Sequence, residues 1–375
     1  MYKDLRSFVD ALDQAGELVR ITERVSPVLE VAAITDLVSK SRCRGEPSAS
    51  ARLNDPRFWD RGGPALLFEN VDGSDVPLLI NAYGSYRRME MALGADRGFD
   101  GIGERIGELV KPEPPKSLGD AIAKAKQFAP LLKIGPKRST KRGACQEVVL
   151  RGDRIDLTRL PIIRCWPHDG DFAALGYPGG VNDGVPGIER GDDWDASHRG
   201  RYITLAGIHT IHADDAGEAK PSSHNIGMYR VQLLGKDRVA MHWHMHHDGA
   251  SHWRSWKKAG SRGGEPMPVA IVLGGPSVLP YAATAPLPPG ISELLMAGFL
   301  NGGGVKLCRG ASVPLCVPAD AEIVIEGYVN PDAGVIGFDP RTDGELGEGA
   351  VFEGPFGDHT GFYSMPDRYP IVEVT

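Results

Sequence analysis

No stretch of this 375-residue chain approaches the roughly 20 consecutive apolar residues that spanning a bilayer requires. Positive charge is in deficit: 42 Lys and Arg stand against 49 Asp and Glu, a net charge of -7. A nucleic-acid-binding chain would usually be basic, so that class is set aside. Cysteine is scarce. The five present, Cys43, Cys145, Cys165, Cys308 and Cys316, are odd in number and none forms a C-x-x-C pair. Reduced thiols are expected, not a disulfide framework. The start, Met1-Tyr2-Lys3-Asp4-Leu5-Arg6, lacks a secretory signal pattern. No internal repeat is visible. What remains is a soluble cytoplasmic protein whose 41% hydrophobic content and length suit two domains.

Glycine and proline are abundant instead, at 48 and 29 residues, well above the usual ~12% together. They sit between clean apolar strands, so the expectation is a β-rich fold with many turns.

Leu5, Phe8, Val9, Leu12 and Ala15 mark one helical face that Gly16 ends. A short strand is predicted at 17–21, a polar loop at 43–63, and short strands at Ala65–Phe68 and Leu78–Ile80. Helical patterns follow near 85–93, 102–110 and 118–128. Residues 129–143, with Pro130, Gly135, Pro136, Lys137, Arg138, Lys141 and Arg142, read as a linker. Its basic run is either a solvated connection or a contact to an anion. Strand patterns then recur at 146–150, 202–212, 226–234, 239–246, 268–273 and 321–328. Gly235-Lys236-Asp237 forms a hairpin turn, and helices are expected only at about 250–259 and 290–300. The reading is α+β: a mixed α/β region, 1–143, then a β-barrel-like domain, 144–375. Residues 168–200 and 329–351 are large surface insertions or active-site loops.

Four segments carry chemistry. In His242-Trp243-His244-Met245-His246-His247-Asp248, a strand would set His242, His244 and His246 on one face, as zinc or another divalent metal could use. The bland alternative is a polar strand edge. Glu353-Gly354-Pro355-Phe356-Gly357-Asp358-His359-Thr360-Gly361 is a shaped loop with two carboxylates. In one site, repulsion or an arginine would split their pKa values, leaving one charged and one able to hold a proton. The apolar bulk of Phe352, Phe356, Phe362 and Tyr363 argues against a mere acidic surface turn. His224-Asn225-Ile226-Gly227-Met228-Tyr229-Arg230 offers an amide for a cation or phosphate. It also places an arginine, which forks onto carboxylates, in a strand. Ser292-Glu293 opens a helix, where a glutamate ordinarily complements the dipole.

Together these segments resemble the UbiD family of prenylated-FMN-dependent decarboxylases. The likeness begins at Tyr2-Lys3-Asp4-Leu5-Arg6 and Gly16-Glu17-Leu18. It continues through Pro64–Asn70, Lys111–Lys116, Pro161-Ile162-Ile163 and Cys165-Trp166-Pro167, and is most specific in N-x-G-x-Y-R with E-G-P-F-G-D-H-T-G. The resemblance implies a split β-barrel of flavin-reductase type holding prenylated FMN, after a mixed α/β domain. The usual family C-terminal domain is expected to be absent. It implies a divalent metal, manganese or magnesium, on Asn225, His246 and Glu293, with potassium a further candidate. Met228, Tyr229, Arg230, His242, Trp243, His244, His247 and Asp248 would line the cofactor. The family triad maps to Glu353, Arg230 and Asp358, with Asp358 returning the proton. The three are expected in one hydrogen-bonded cluster, Asp358 with a raised pKa.

The implied substrate is an aromatic or quinone-precursor acid, with or without a prenyl chain. Motifs such as Tyr281–Pro288 and Gly361-Phe362-Tyr363 look most like the menaquinone-biosynthesis decarboxylases, then the polyprenyl-hydroxybenzoate decarboxylases of ubiquinone synthesis. A flavin prenyltransferase would supply the cofactor. The chain would form a homo-oligomer or meet a partner chain that supplies the third domain, in the cytoplasm or peripherally at the membrane. Two alternatives stay open: a zinc hydrolase on His242, His244 and His246, and a non-catalytic assembly subunit.

Overall fold

The computed structural model describes residues 1–94, 98–110, 133–260, 265–285, 287, 292–331, 333 and 349–375. The helix expected at 118–128, the start of the linker and most of the 329–351 loop lie outside them.

The chain opens with α1 (Leu5–Gln14). Asp4 caps it by accepting the Ser7 N–H at 2.8 Å, and the Ser7 hydroxyl faces the Asp4 N–H in return, which satisfies two of the orphan donors of a helix start. Phe8 and Leu12 are buried against Leu18 and Ala65. Gly16 then adopts φ 71, a left-handed conformation that glycine takes at no steric cost. The strands β1 (Leu18–Ile21), β2 (Ala65–Phe68) and β3 (Leu78–Ile80) form a three-stranded sheet, β1 parallel and β3 antiparallel to β2. Around it stand α2 (Glu30–Ser39), α3 (Ala49–Asn54), α4 (Tyr86–Leu93) and α5 (Gly98–Val110). The expected loop at 43–63 thus contains a helix. Ser50 and Ala51 are buried there, and the Glu90 carboxylate accepts the Ser48 N–H.

A second small sheet joins β4 (Lys137–Ser139), β11 (Lys306–Arg309) and β12 (Cys316–Pro318). The strand expected at 146–150 does not form. Val148 and Leu150 are exposed, and a single 3-10 turn, Ala144–Gln146, occupies the start of the stretch.

The main sheet has nine strands, all paired antiparallel. They are β5 (Tyr202–Ile203), β6 (Gly207–Thr210), β7 (Asn225–Met228), β8 (Val231–Leu233), β9 (Arg238–Met241), β10 (Met267–Gly274), β13 (Ala321–Val329), β14 (Ala350–Glu353) and β17 (Asp367–Val374). Their order is β5-β8-β9-β17-β13-β10-β6-β7, with β14 on β17. The hairpin expected at 235–237 joins β8 to β9. No pairing closes the path among the described residues. Yet β7 lies at one end and β8 next to the other, with only Tyr229 and Arg230 between them. The three Cα–Cα steps from Met228 to Val231 span at most ~11 Å, so the sheet curls until β7 and β8 approach, leaving an open seam. Arg230 sits in that seam.

The hairpin β15 (Phe356–Gly357) and β16 (Tyr363–Ser364) stands apart from this sheet. Helix α6 (Asp192–Ser197) lies in the 168–200 loop, and α7 (Asp248–Gly260) buries Trp253 and Trp256. Helices α8 (Leu279–Ala282) and α9 (Glu293–Leu300) share a core with Ile226. No helix among the described residues is long and apolar enough to cross a membrane.

Candidate active site

Arg230 and Glu353 are 123 residues apart and meet where β8 begins and β14 ends. The guanidinium forks onto the carboxylate: Nε donates to Oε1 at 2.6 Å and Nη2 to Oε2 at 2.8 Å. Nη2 also donates to the Ser364 hydroxyl at 2.8 Å. The His242 ring Nδ1 lies 3.1 Å from Glu353 Oε2, and the Phe356 ring stacks under the guanidinium at 4.8 Å. Glu353 is fully buried. Burial alone would push its pKa up, but the Arg230 charge and the hydrogen bonds from His242 and Arg230 hold it down at about 2. Arg230 is correspondingly raised: burial works against its charge, and Glu353 outweighs burial. No acceptor among the described residues takes Nη1 of Arg230, so the ion pair leaves donors for a further anion.

Asp358 does not join this cluster. Its backbone closes a turn with Phe362 and Gly361, and its carboxylate accepts from the His359 N–H and ring, both at 3.0 Å. The side chain is 45% exposed. The expected raised pKa is therefore corrected. Burial raises it, but the His359 hydrogen bonds together with the His359 and Arg230 charges outweigh burial and hold it below the usual carboxylate value.

The His-rich segment also departs from expectation. β9 ends at Met241, and 242–247 is a loop with a turn from the His247 N–H to the His244 carbonyl. The histidines do not share a strand face. His242 meets Glu353 and the Tyr369 ring, whereas His244 packs against His246 and His247. Among the described residues no three His, Cys, Asp or Glu side chains stand grouped as a metal site, so the three-histidine strand face of a zinc hydrolase does not form. Trp243 is buried in the core under Gly249, where a Cβ would lie 2.8 Å from the indole nitrogen. His247 stacks on Tyr229, whose hydroxyl accepts the Gly249 N–H at 3.3 Å and is pushed up to about 12 by burial.

Asn225 and Glu293 come together where β7 meets the start of α9. Ser292 caps α9 and donates to the His224 carbonyl at 2.6 Å. Glu293 Oε2 accepts the Ile226 N–H at 3.0 Å, so this glutamate does more than complement the dipole. Asn225 Nδ2 reaches Asp248 at 3.4 Å, while its Oδ1 is buried without a partner among the described residues. Burial raises the Glu293 pKa, and the Asp248 charge adds to it. An orphaned amide oxygen beside two carboxylates fits a hard divalent cation. His246 is exposed on its loop, against His244. Met228 lines an apolar cleft of 1020 Å³ between α1, β3 and the main sheet, together with Tyr202, Leu79 and Leu273.

Three residues of the site escaped the sequence reading. Ser364 holds Arg230. Tyr202 is buried with its ring 4.6 Å from that of Phe356. Asp169, in the loop read as an insertion, is fully buried. It accepts the Gly357 N–H at 2.7 Å, Trp166 N–H at 2.8 Å and Cys165 N–H at 3.1 Å. Burial raises it to about 6 against these donors. Its signal lay in the Cys165-Trp166-Pro167 motif just before it. Gly357 must be glycine here, since a Cβ would meet the Trp166 ring at 2.2 Å.

A family model described as the 3-octaprenyl-4-hydroxybenzoate carboxy-lyase Rift-related domain matches residues 137–178 and 193–375. The corresponding N-terminal domain matches 9–109. The chain belongs to the UbiD family. It is 39% identical over 374 residues to an uncharacterized protein of Aquifex aeolicus, covering 100% of this chain and 62% of that one. Its fold is similar to the vanillic acid decarboxylase of Sedimentibacter hydroxybenzoicus in closed form, with 23% identity and a TM-score of 0.67, over 100% of this chain and 61% of that chain. It is also similar to the UbiD-class enzyme HmfF of Pelotomaculum thermopropionicum in complex with FMN, with 24% identity and a TM-score of 0.64, over 99% and 61%. The 3,4-dihydroxybenzoic acid decarboxylase of Enterobacter cloacae follows, at 21% identity and a TM-score of 0.66, over 100% and 62%. The chain thus spans under two thirds of these relatives.

Proposed function

We propose that this chain carries the cofactor and carboxylate site of a non-oxidative decarboxylase acting on an aromatic acid with prenylated FMN and a divalent metal. The observation that carries the reading is the buried Glu353 gripping Arg230 while Nη1 has no acceptor among the described residues. A substrate carboxylate can accept from Nη1, and Phe356 fixes the guanidinium plane. Exposed Trp166, packed on Gly357, and exposed Phe362 and Met365 offer apolar surface for a ring.

Loss of CO2 leaves an electron pair that no side chain accommodates well next to an aromatic ring, and the bound flavin would supply that sink. Asn225 and Glu293, with Asp248 close by, would hold the metal; His246 is the proposed further ligand. Met228, Tyr229, His242 and the loop to Asp248 would line the cofactor. Arg230 binds and orients the substrate carboxylate. Glu353 keeps Arg230 charged and in place. Asp358 returns the proton to the ring carbon. As it stands Asp358 is ionised; an aromatic acid packed against Phe356 and Phe362 would strip water from it and raise its pKa. A quinone-precursor acid is the preferred substrate, on the motif likeness.

The test is the full chain co-expressed with a flavin prenyltransferase. Flavin absorbance, the prenylated-FMN mass and CO2 release from a panel of aromatic acids are expected. Protein that binds no flavin under these conditions would sink the reading.

A further inference from the structure

Cys145 and Cys308 lie 163 residues apart in sequence, yet their Sγ atoms are 3.6 Å apart. Cys145 sits in the 3-10 turn Ala144–Gln146, fixed by its N–H to the Ala319 carbonyl at 3.1 Å. Cys308 is buried in β11. The turn approaches β11 closely because residue 143 is glycine: a Cβ there would lie 2.8 Å from the Cys308 sulfur. The third thiol nearby, Cys316, is directed elsewhere. The β11–β12 register pairs Cys308 with Val317 and Arg309 with Cys316, so the pleat turns Cys316 to the opposite face from Cys308. Cys43 contacts the Gly45 carbonyl and Cys165 packs with Val25 and Ile163, both far from β11 in the fold.

We propose that Cys145 and Cys308 form an oxidation site, closed to a disulfide by a peroxide-class oxidant and reopened by a thiol reductant. The sulfurs must close from van der Waals contact to a bond of ~2.05 Å. The hydrogen bond from Cys145 is the largest influence on Cys308. It lowers the Cys308 thiol to about 7 with help from Gly143, while burial works the other way. Cys308 is fully buried and Cys145 part-exposed, so Cys145 is the sulfur a peroxide reaches, its proton passing to Cys308 across the 3.6 Å contact. The Cys145 sulfur attacks one peroxide oxygen and the O–O bond breaks, giving a sulfenic acid and hydroxide. The sulfur of Cys308 then displaces the sulfenic hydroxyl as water. The protons of the two thiols end in the two waters formed. Sulfur gives up two electrons and peroxide takes them.

The bond would staple the turn at 144–146 to β11. The neighbouring β4 already docks there, pairing parallel with β11 and bonding Lys137 N–H to the Val305 carbonyl at 2.8 Å. Oxidation would therefore lock the entry of the chain into its second half against the strand that follows α9.

The experiment treats the full chain with hydrogen peroxide and reads intact mass and non-reducing peptide maps. A loss of about 2 Da, a Cys145–Cys308 cross-linked peptide and full reversal by dithiothreitol are expected. A variant with Cys43, Cys165 and Cys316 all replaced by Ser should behave the same. In Cys308→Ser a dimedone adduct should accumulate on Cys145, and the rise in melting temperature expected on oxidising the parent should be lost. A cross-link to Cys316 overturns the proposal. So does oxidation of the parent confined to Cys43 and Cys165 while Cys145 and Cys308 stay alkylatable, or a triple variant whose mass peroxide leaves unchanged.

Discussion

Two buried arginine–glutamate pairs stand among the described residues, and they are built for different ends. Arg88 and Glu17, both fully buried, meet at 3.1 Å beside the first sheet. Arg88 also donates to the carbonyls of Asn81, Gly62 and Gly63. Burial drags its pKa below the ordinary value, and Glu17 only partly restores it. Arg230 keeps 12% of its side chain exposed and its pKa is raised. The first pair spends its donors on backbone and stitches together a loop, a strand and α4. The second withholds Nη1. Saturation marks the structural pair; the pair proposed to meet a substrate keeps a donor with no acceptor among the described residues.

Four variants would break or sharpen this contrast. Arg88→Ala should show the largest stability effect, about 3–5 kcal/mol, because it strands a buried carboxylate; urea melts followed by circular dichroism read it. Should stability fall no further than in a surface control, the pair is not structural. Glu353→Gln keeps the shape of the second pair but frees Arg230 to drift, so CO2 release should fall by roughly 10²-fold with the fold retained. Asp358→Asn, outside both pairs, should lower turnover by ~10²-fold while flavin still binds. An unaltered rate would remove Asp358 from the proton role. Asn225→Ala should weaken manganese binding by ~10-fold or more in titration calorimetry, and leave flavin-free stability near the parent value.

The smallest effect is a pH signature. Glu353 is held at about 2, below the ordinary 4.5. Its ionised form therefore contributes stability above pH 4.5 that is lost as pH falls from 4.5 toward 2. Parent and Glu353→Gln melts should converge over that window. A gap that is flat with pH would mean that Glu353 is not specially stabilised as an anion.

Local chemistry was legible in the sequence; long-range pairing was not. α1 could be read because Asp4, the Phe8–Leu12 face and Gly16 carry its start, face and stop within a few residues of one another. β2 and β3 could be read for the same reason. The segment 239–246 alternates like a strand, yet it leaves the sheet after Met241, since its later histidines pack on each other instead of on a neighbouring strand. β17 inserts between β9 and β13, a placement that its own eight residues do not announce. At the site, the motifs named Arg230 and Glu353, and the structure brings them together. Asp169 and Ser364 were missed because their roles depend on backbone N–H groups and a guanidinium that only the folded chain carries to them.

The open seam has a consequence for how this chain can vary. Arg230 is half of a two-residue bridge between opposite ends of one sheet. An insertion there would not hang out as a tolerated loop; it would let the sheet uncurl and carry the guanidinium away from Glu353. Surface loops elsewhere can lengthen at little cost. At 229–230 the chain has no slack, so the site's chemistry and the curvature of its scaffold are set by the same two residues and can only change together.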